Sequence, residues 1–239
     1  MKRFYKTVDI AEVSGPDGAT GWQITLDGRA IKTVGGRAQR VPSRALAKAM
    51  ASEWDRQGDK LDPSLFVLRD MADYAIDVVA EAREETADKV LRFGETDTLL
   101  YRADPDEPLF ARQQEVWEPL VSAFEREEGV EMVRVSGIIH RPQAAPTLDT
   151  LRNRLRGMDA FALVAVEAMA SLSASLIIAL LASRKGADAE SLWEAASLEE
   201  NWQADLWGRD EEAEAVRARR RSDFLRAHGF AQMVLYPED

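Results

Sequence analysis

The sequence predicts an α+β fold. A small antiparallel β-rich N-terminal domain over residues 1–60 precedes a larger helical-bundle domain over residues 61–239. Three observations predict this. The first forty residues alternate apolar with polar and are broken by glycine-rich turns. The apolar period then becomes helical and stays so. Residues 160–182, "AFALVAVEAMASLSASLIIALLA", are apolar enough to run through the centre of a bundle as one buried helix.

The elements follow in order. "FYKTVDIAEV" alternates, and "GWQITLDGRAIKTV" reads as two short strands around Asp27–Gly28, a pair that favours a type I′ hairpin turn. "PSRALAKAMASEWDRQG" is a helix with Ser43 as N-cap and Gly58 as its stop. Asp62 caps the next segment, with Pro63 at its first helical position, and the span that runs on to Gly94 has room for two helices. "LFARQQEVWEPLVSAFEREEG" is helical and is expected to bend or split at Pro119. "VEMVRVSGIIHRPQAAP" is irregular with room for a short strand. From Thr147 on the pattern is helical, with stops expected at Gly157, Gly186, Gly208 and Gly229.

Composition excludes several functions. A chain of 239 residues buries roughly 70% of its unfolded surface and needs no staple. The absence of cysteine removes disulfides, thiol nucleophiles, iron–sulfur clusters and cysteine-bound zinc. His140 and His228 are the only imidazoles, which excludes a histidine-rich metal site; no metal and no cofactor are expected. His140, in "GIIHRPQ", reads as a loop histidine. A net charge of −11 opposes generic nucleic-acid binding. The one basic run holds Arg217, Arg219, Arg220, Arg221 and Arg226. It follows the acidic run "RDEEAEA", an order that suits a helix dipole and i,i+4 pairs on a solvated helix.

Residues 160–182 are long enough to approach a bilayer span. Glu167, Ser171 and Ser175 interrupt them, and aromatic and basic flanks are lacking, so no membrane insertion is expected. "MKRFYKTVDI" enters strand alternation directly, without an apolar leader. Enzyme signatures are missing as well. No phosphate-cradling GxxxxGK[ST], no GxGxxG and no GxSxG occurs. Two alternatives stay open from sequence: a hydrolase using two carboxylates, whose separation in space decides it, and a peripheral membrane protein using residues 160–182.

One stretch breaks its own pattern. "SLWEAASLEENWQADLWG", Ser191 to Gly208, reads as a single helix. Leu192, Ala195, Ala196, Trp202 and Leu206 gather on one arc of its wheel. Glu199 and Gln203, four apart, fall inside that arc, whereas Glu200 lies at its border. A buried carboxylate is costly unless paired. Either an arginine, a tryptophan N–H or a backbone amide satisfies Glu199 internally, or the arc lines a groove that receives a partner. Trp193, Trp202 and Trp207 crowd the same stretch, and tryptophans serve both as core anchors and as interface hot spots.

At these residues the chain resembles a known family. "LEENWQADLWG", "SEWDRQGDKL", "ETDTLLYRA" and "QEVWEPL" are similar to four blocks of the assembly chaperones of the F1 part of ATP synthase, specifically the chaperone of the F1 α subunit. The likeness runs from "FYKTVDI" to about residue 226. It implies a non-enzymatic chaperone, found in mitochondria and α-proteobacteria, that shields the β-facing surface of unassembled α until the β subunit displaces it. Glu199 matches the position tied to chaperone action. Gln203 and Trp207 join it as expected partner-binding residues. Trp54, Trp202 and Gly208 are expected to support that surface, Trp54 by packing the β part onto helices. The mitochondrial members carry a targeting leader; without one, a monomeric bacterial cytoplasmic protein is expected here.

Overall fold

Two residues with positive φ close the N-terminal hairpin. Strand β1 (Val8–Ser14) pairs antiparallel with β2 (Thr20–Leu26), from Val8↔Leu26 to Ser14↔Thr20. Asp27 (φ 48°) and Gly28 (φ 76°) then turn the chain into β3 (Arg29–Ala30), as the type I′ geometry requires. Asp27 Oδ1 helps hold this conformation, accepting from the Lys6 and Thr7 N–H groups at 3.0 and 2.9 Å. The structure, a computed structural model, describes residues 1–15, 18–137 and 141–237. His140 lies outside them.

Helix α1 (Arg44–Asp55) starts where Ser43 Oγ accepts from the Leu46 N–H at 3.1 Å, and it packs on β1 and β2. It buries Leu46, Ala47, Met50 and Trp54. Trp54 is 7% exposed. Its ring meets Tyr5 edge-on at 5.5 Å and Phe66 at 4.5 Å, and its carbonyl accepts from Tyr5 Oη at 2.6 Å. Beside it, the buried Glu53 carboxylate accepts from the Leu68 and Arg69 N–H groups at 2.7 and 3.0 Å. These belong to the first turn of α2 (Val67–Tyr74), whose own N-cap residue makes no side-chain cap. Glu53 therefore ties α1 to α2, and burial pushes its carboxyl above the usual range. A π turn, Ala75–Val79, prolongs α2 before α3 (Arg83–Glu95).

Several expectations need correction. Helix α4 (Pro108–Glu128) is one helix and does not split at Pro119. Its stripe of Gln113, Trp117, Val121 and Phe124 is buried on both sides of the proline, which outweighs a cost of about 3 kcal/mol. Residues 160–182 form two helices, α5 (Ala145–Arg156) preceding them. These are α6 (Ala160–Ser173) and α7 (Leu176–Ala182). Ala174 adopts φ 49° between them, and its carbonyl accepts from Thr98 N and Oγ1. Ser175 Oγ and Asp97 Oδ2 then cap α7 through the Ile178 and Ile177 N–H groups at 3.0 and 2.9 Å. The stretch from Ser191 is also two helices, α8 (Ala189–Ala196) and α9 (Leu198–Trp207), so a single wheel does not describe it.

Of the expected stops, Gly208 ends α9 at φ 94°, a conformation that strains any residue with a Cβ. Gly229 stops nothing. Helix α10 (Glu211–Leu235) runs through it, with Phe224, Ala227, Phe230, Ala231 and Val234 buried at helical spacing. A short parallel pair, β4 (Tyr101–Arg102) with β5 (Val135–Ser136), supplies the strand that the irregular segment allowed.

The chain divides into two units. One holds Met1–Arg83, Asp159–Ala165 and Gly229–Asp239; the other holds Glu84–Met158 and Val166–His228. The sequence boundary at residue 60 lies inside the first, because α2 packs on α1, which packs on the sheet. No described helix is long and apolar enough to cross a membrane.

Candidate functional site

Helix α9 holds the expected partner-binding residues Glu199, Gln203 and Trp207. Glu199 and Glu200 occupy its first turn, where carboxylates suit the positive end of the helix dipole. Leu198 and Ala204 are its buried residues. Glu199 is half-buried and faces α4. Its Oε1 accepts from Gln113 Nε2 at 2.6 Å, and Gln113 Oε1 in turn accepts from the Ala103 N–H at 2.8 Å. That backbone donor orients the Gln113 amide and leaves its NH₂ for Glu199. Burial pushes the Glu199 carboxyl above the usual range, and the Gln113 hydrogen bond pulls it partly back. Among the described residues no cation pairs with Glu199, and its second oxygen accepts nothing.

Gln113 is the residue that sequence reasoning missed. It is fully buried, four residues before Trp117 on the apolar stripe of α4. A wheel of α4 shows it as the same kind of anomaly as Glu199, a polar group on a buried face. The two anomalies satisfy each other. Trp117 Nε1 extends the seam, donating to the Ala195 carbonyl of α8 at 2.7 Å.

The other expected residues lie elsewhere on α9. Gln203, Trp207 and Gly208 line a groove of about 590 Å³ whose remaining wall includes Val216, Arg217 and Arg220 of α10. Trp207 is 79% exposed and Leu206 62%. The exposure of Leu206 contradicts its place on the apolar arc, because α9 does not continue the wheel of α8. Trp202 lines a separate groove of about 430 Å³ with Val116 of α4 and Glu194 of α8. Trp54 belongs to the other unit. The structure thus brings Gln203, Trp207 and Gly208 together and places Glu199 at the α4–α9 seam.

The basic run is tied down mainly by neighbouring helices. Arg220 Nη1 donates to Glu200 Oε1 at 3.1 Å and Nη2 to the Leu172 carbonyl at 2.7 Å. Arg217 Nη1 reaches Asn201 Oδ1 at 3.2 Å, and Arg221 pairs with Glu190. Among the described residues, the pairs within α10 itself are Arg217–Glu214 and Arg226–Asp223. Glu200, a border residue on the wheel, pairs with both Arg217 and Arg220 and so joins Asn201 in holding α9 to α10.

A model of the ATP12 chaperone proteins matches residues 2–125. The chain belongs to the ATP12 chaperone family. This is the family of F1 ATP synthase assembly chaperones that the motifs resemble. The mitochondrial protein atp12 of Schizosaccharomyces pombe is 29% identical over 205 residues, which are 81% of this chain and 70% of that protein. The crystal structure of Atp12 from Paracoccus denitrificans superposes with a TM-score of 0.90 at 34% identity, covering 98% of each chain. The Atu1473 protein of Agrobacterium tumefaciens gives a TM-score of 0.88 at 34% identity, over 98% of this chain and 86% of that one. The ATP12 likeness thus extends across both units.

Proposed function

We propose that this ATP12 family member binds the unassembled F1 α subunit, covers the surface that later meets β, and yields it when the β subunit arrives. Its role is binding rather than catalysis, performed as a monomer in the bacterial cytoplasm. The observation that carries the reading is the groove on α9. A tryptophan with four-fifths of its surface in water is costly to maintain, and exposed apolar surface of this kind marks an interaction site. Trp207 is its anchor, Leu206 and Val216 widen the apolar contact, and Gln203 adds hydrogen-bonding capacity.

Glu199 has a separate role at the α4–α9 seam. Its charge is held by a neutral amide, so no internal cation cancels it. A client arginine reaching the second oxygen gains a charge-assisted hydrogen bond. Desolvating that carboxylate further offsets part of the gain, which keeps affinity moderate and lets β compete by mass action. The test is reconstitution from purified parts. Refolding α is mixed with the chain, and the complex is separated by size-exclusion chromatography. A complex with α that dissociates when β is added supports the reading. Selective binding of β, or a complex that survives excess β, contradicts it.

A further inference from the structure

A second cleft, of about 550 Å³, opens in the β-rich unit. Tyr5, Leu26, Ile31 and Trp54 form much of its apolar wall. Phe4 and Val34 carry the apolar surface onto the rim, 59% and 80% exposed. The volume falls in the range of ligand sites, roughly 300–1,000 Å³. The apolar rim extends past what a small molecule seated inside would cover, which favours a chain segment.

The charges at the cleft are not balanced. Asp27 is consumed by the Lys6 and Thr7 N–H groups, and Asp73 by the Val34 N–H and the Gln39 amide. Arg69 pairs with Asp70 at 2.6 Å and lies over the Phe66 ring. Arg29 and Lys32 remain, exposed and without an ion pair among the described residues. Two unpaired cations thus border an apolar cleft in a chain of net charge −11. The Trp54 indole N–H also finds no acceptor among the described residues.

We infer that this cleft is a second client site, which takes an extended peptide segment whose aliphatic or aromatic side chain neighbours a carboxylate. The apolar side chain enters between Tyr5, Ile31 and Trp54, and the carboxylate meets Arg29 or Lys32. Only the naming of the segment as a client's rests on the proposed function; the peptide chemistry does not.

The test uses the full chain and short labelled peptides, one acidic and one basic around the same Leu-Phe centre, followed by fluorescence anisotropy. The acidic peptide binds saturably and about tenfold more tightly than the basic one, from two rim contacts of roughly threefold each. Arg29→Glu with Lys32→Glu, both exposed and outside the core, inverts that preference, and circular dichroism checks their fold. Phe4→Ser weakens both peptides alike. Equal affinity for the two peptides, no binding of either, or an unchanged preference after charge reversal overturns the inference. So does a concentration-dependent dimer that blocks the peptide, since the occupant is then a second copy. No F1 subunit enters this assay, so its failure leaves the proposed function standing. Loss of α binding with peptide binding intact condemns that proposal alone.

Discussion

Glu199 is a half-buried carboxylate held by a glutamine. Placing it there costs free energy, and the Gln113 amide offsets part of that cost. Removing the amide exposes two debts at once. Gln113→Leu leaves Glu199 without its donor and the Ala103 N–H without its acceptor. We expect a loss of about 2–4 kcal/mol in urea unfolding, the usual cost of two stranded polar groups. Glu199→Leu strands only one donor and costs less. The double variant is more stable than the sum of the singles requires, because each side chain is the other's partner. Strict additivity would show that the contact contributes nothing.

At the scale of elements, the break between α6 and α7 depends on Asp97. This carboxylate is fully buried, with Oδ2 accepting from the Ile177 N–H and Oδ1 from the Leu99 N–H at 3.0 Å. Burial pushes its carboxyl up to about 6, despite these hydrogen bonds and help from Ser175. The folded value lies above the unfolded one, near 3.9. The folded state therefore prefers the protonated form. Its contribution to stability is complete below pH ~4 and is lost as the pH rises through about 6. The loss is about 3 kcal/mol for a shift of this size. Asp97→Asn removes that titration, so variant minus wild-type stability rises by about this amount between pH 4 and pH 7. Parallel curves in urea titrations at the two pH values would refute it. The same elements show what could be read beforehand. The hairpin, the Ser43 cap and the Gly208 stop rest on local chemistry, and each stands in the structure. The breaks at Ala174 and Ser197 do not announce themselves. At Ala174 the partners that stabilise the break, Asp97 and Thr98, lie some eighty residues away in sequence. Pro119 and Gly229 mislead in the opposite direction, because buried stripes continue past them.

The whole molecule combines a strongly negative net charge with two local departures from ordinary surface chemistry. One is the apolar groove of α9; the other is the cation-rimmed cleft of the β-rich unit. Like-charge repulsion at this net charge opposes association of copies through these apolar patches. The α9 motif was legible in the sequence as a candidate, but its geometry was not. Glu199 and Gln203 share a wheel arc, yet one meets α4 and the other lines the groove with α10, because packing partners are set by distant segments. The central claim is that the Trp207 groove shields a client. The direct measurement is light scattering as denatured F1 α subunit is diluted into buffer with wild-type chain or with Trp207→Ser. Trp207 is exposed, so its replacement leaves the fold intact. The account predicts that wild type suppresses scattering and that the variant loses most of this protection. Equal protection by a folded Trp207→Ser variant would contradict it.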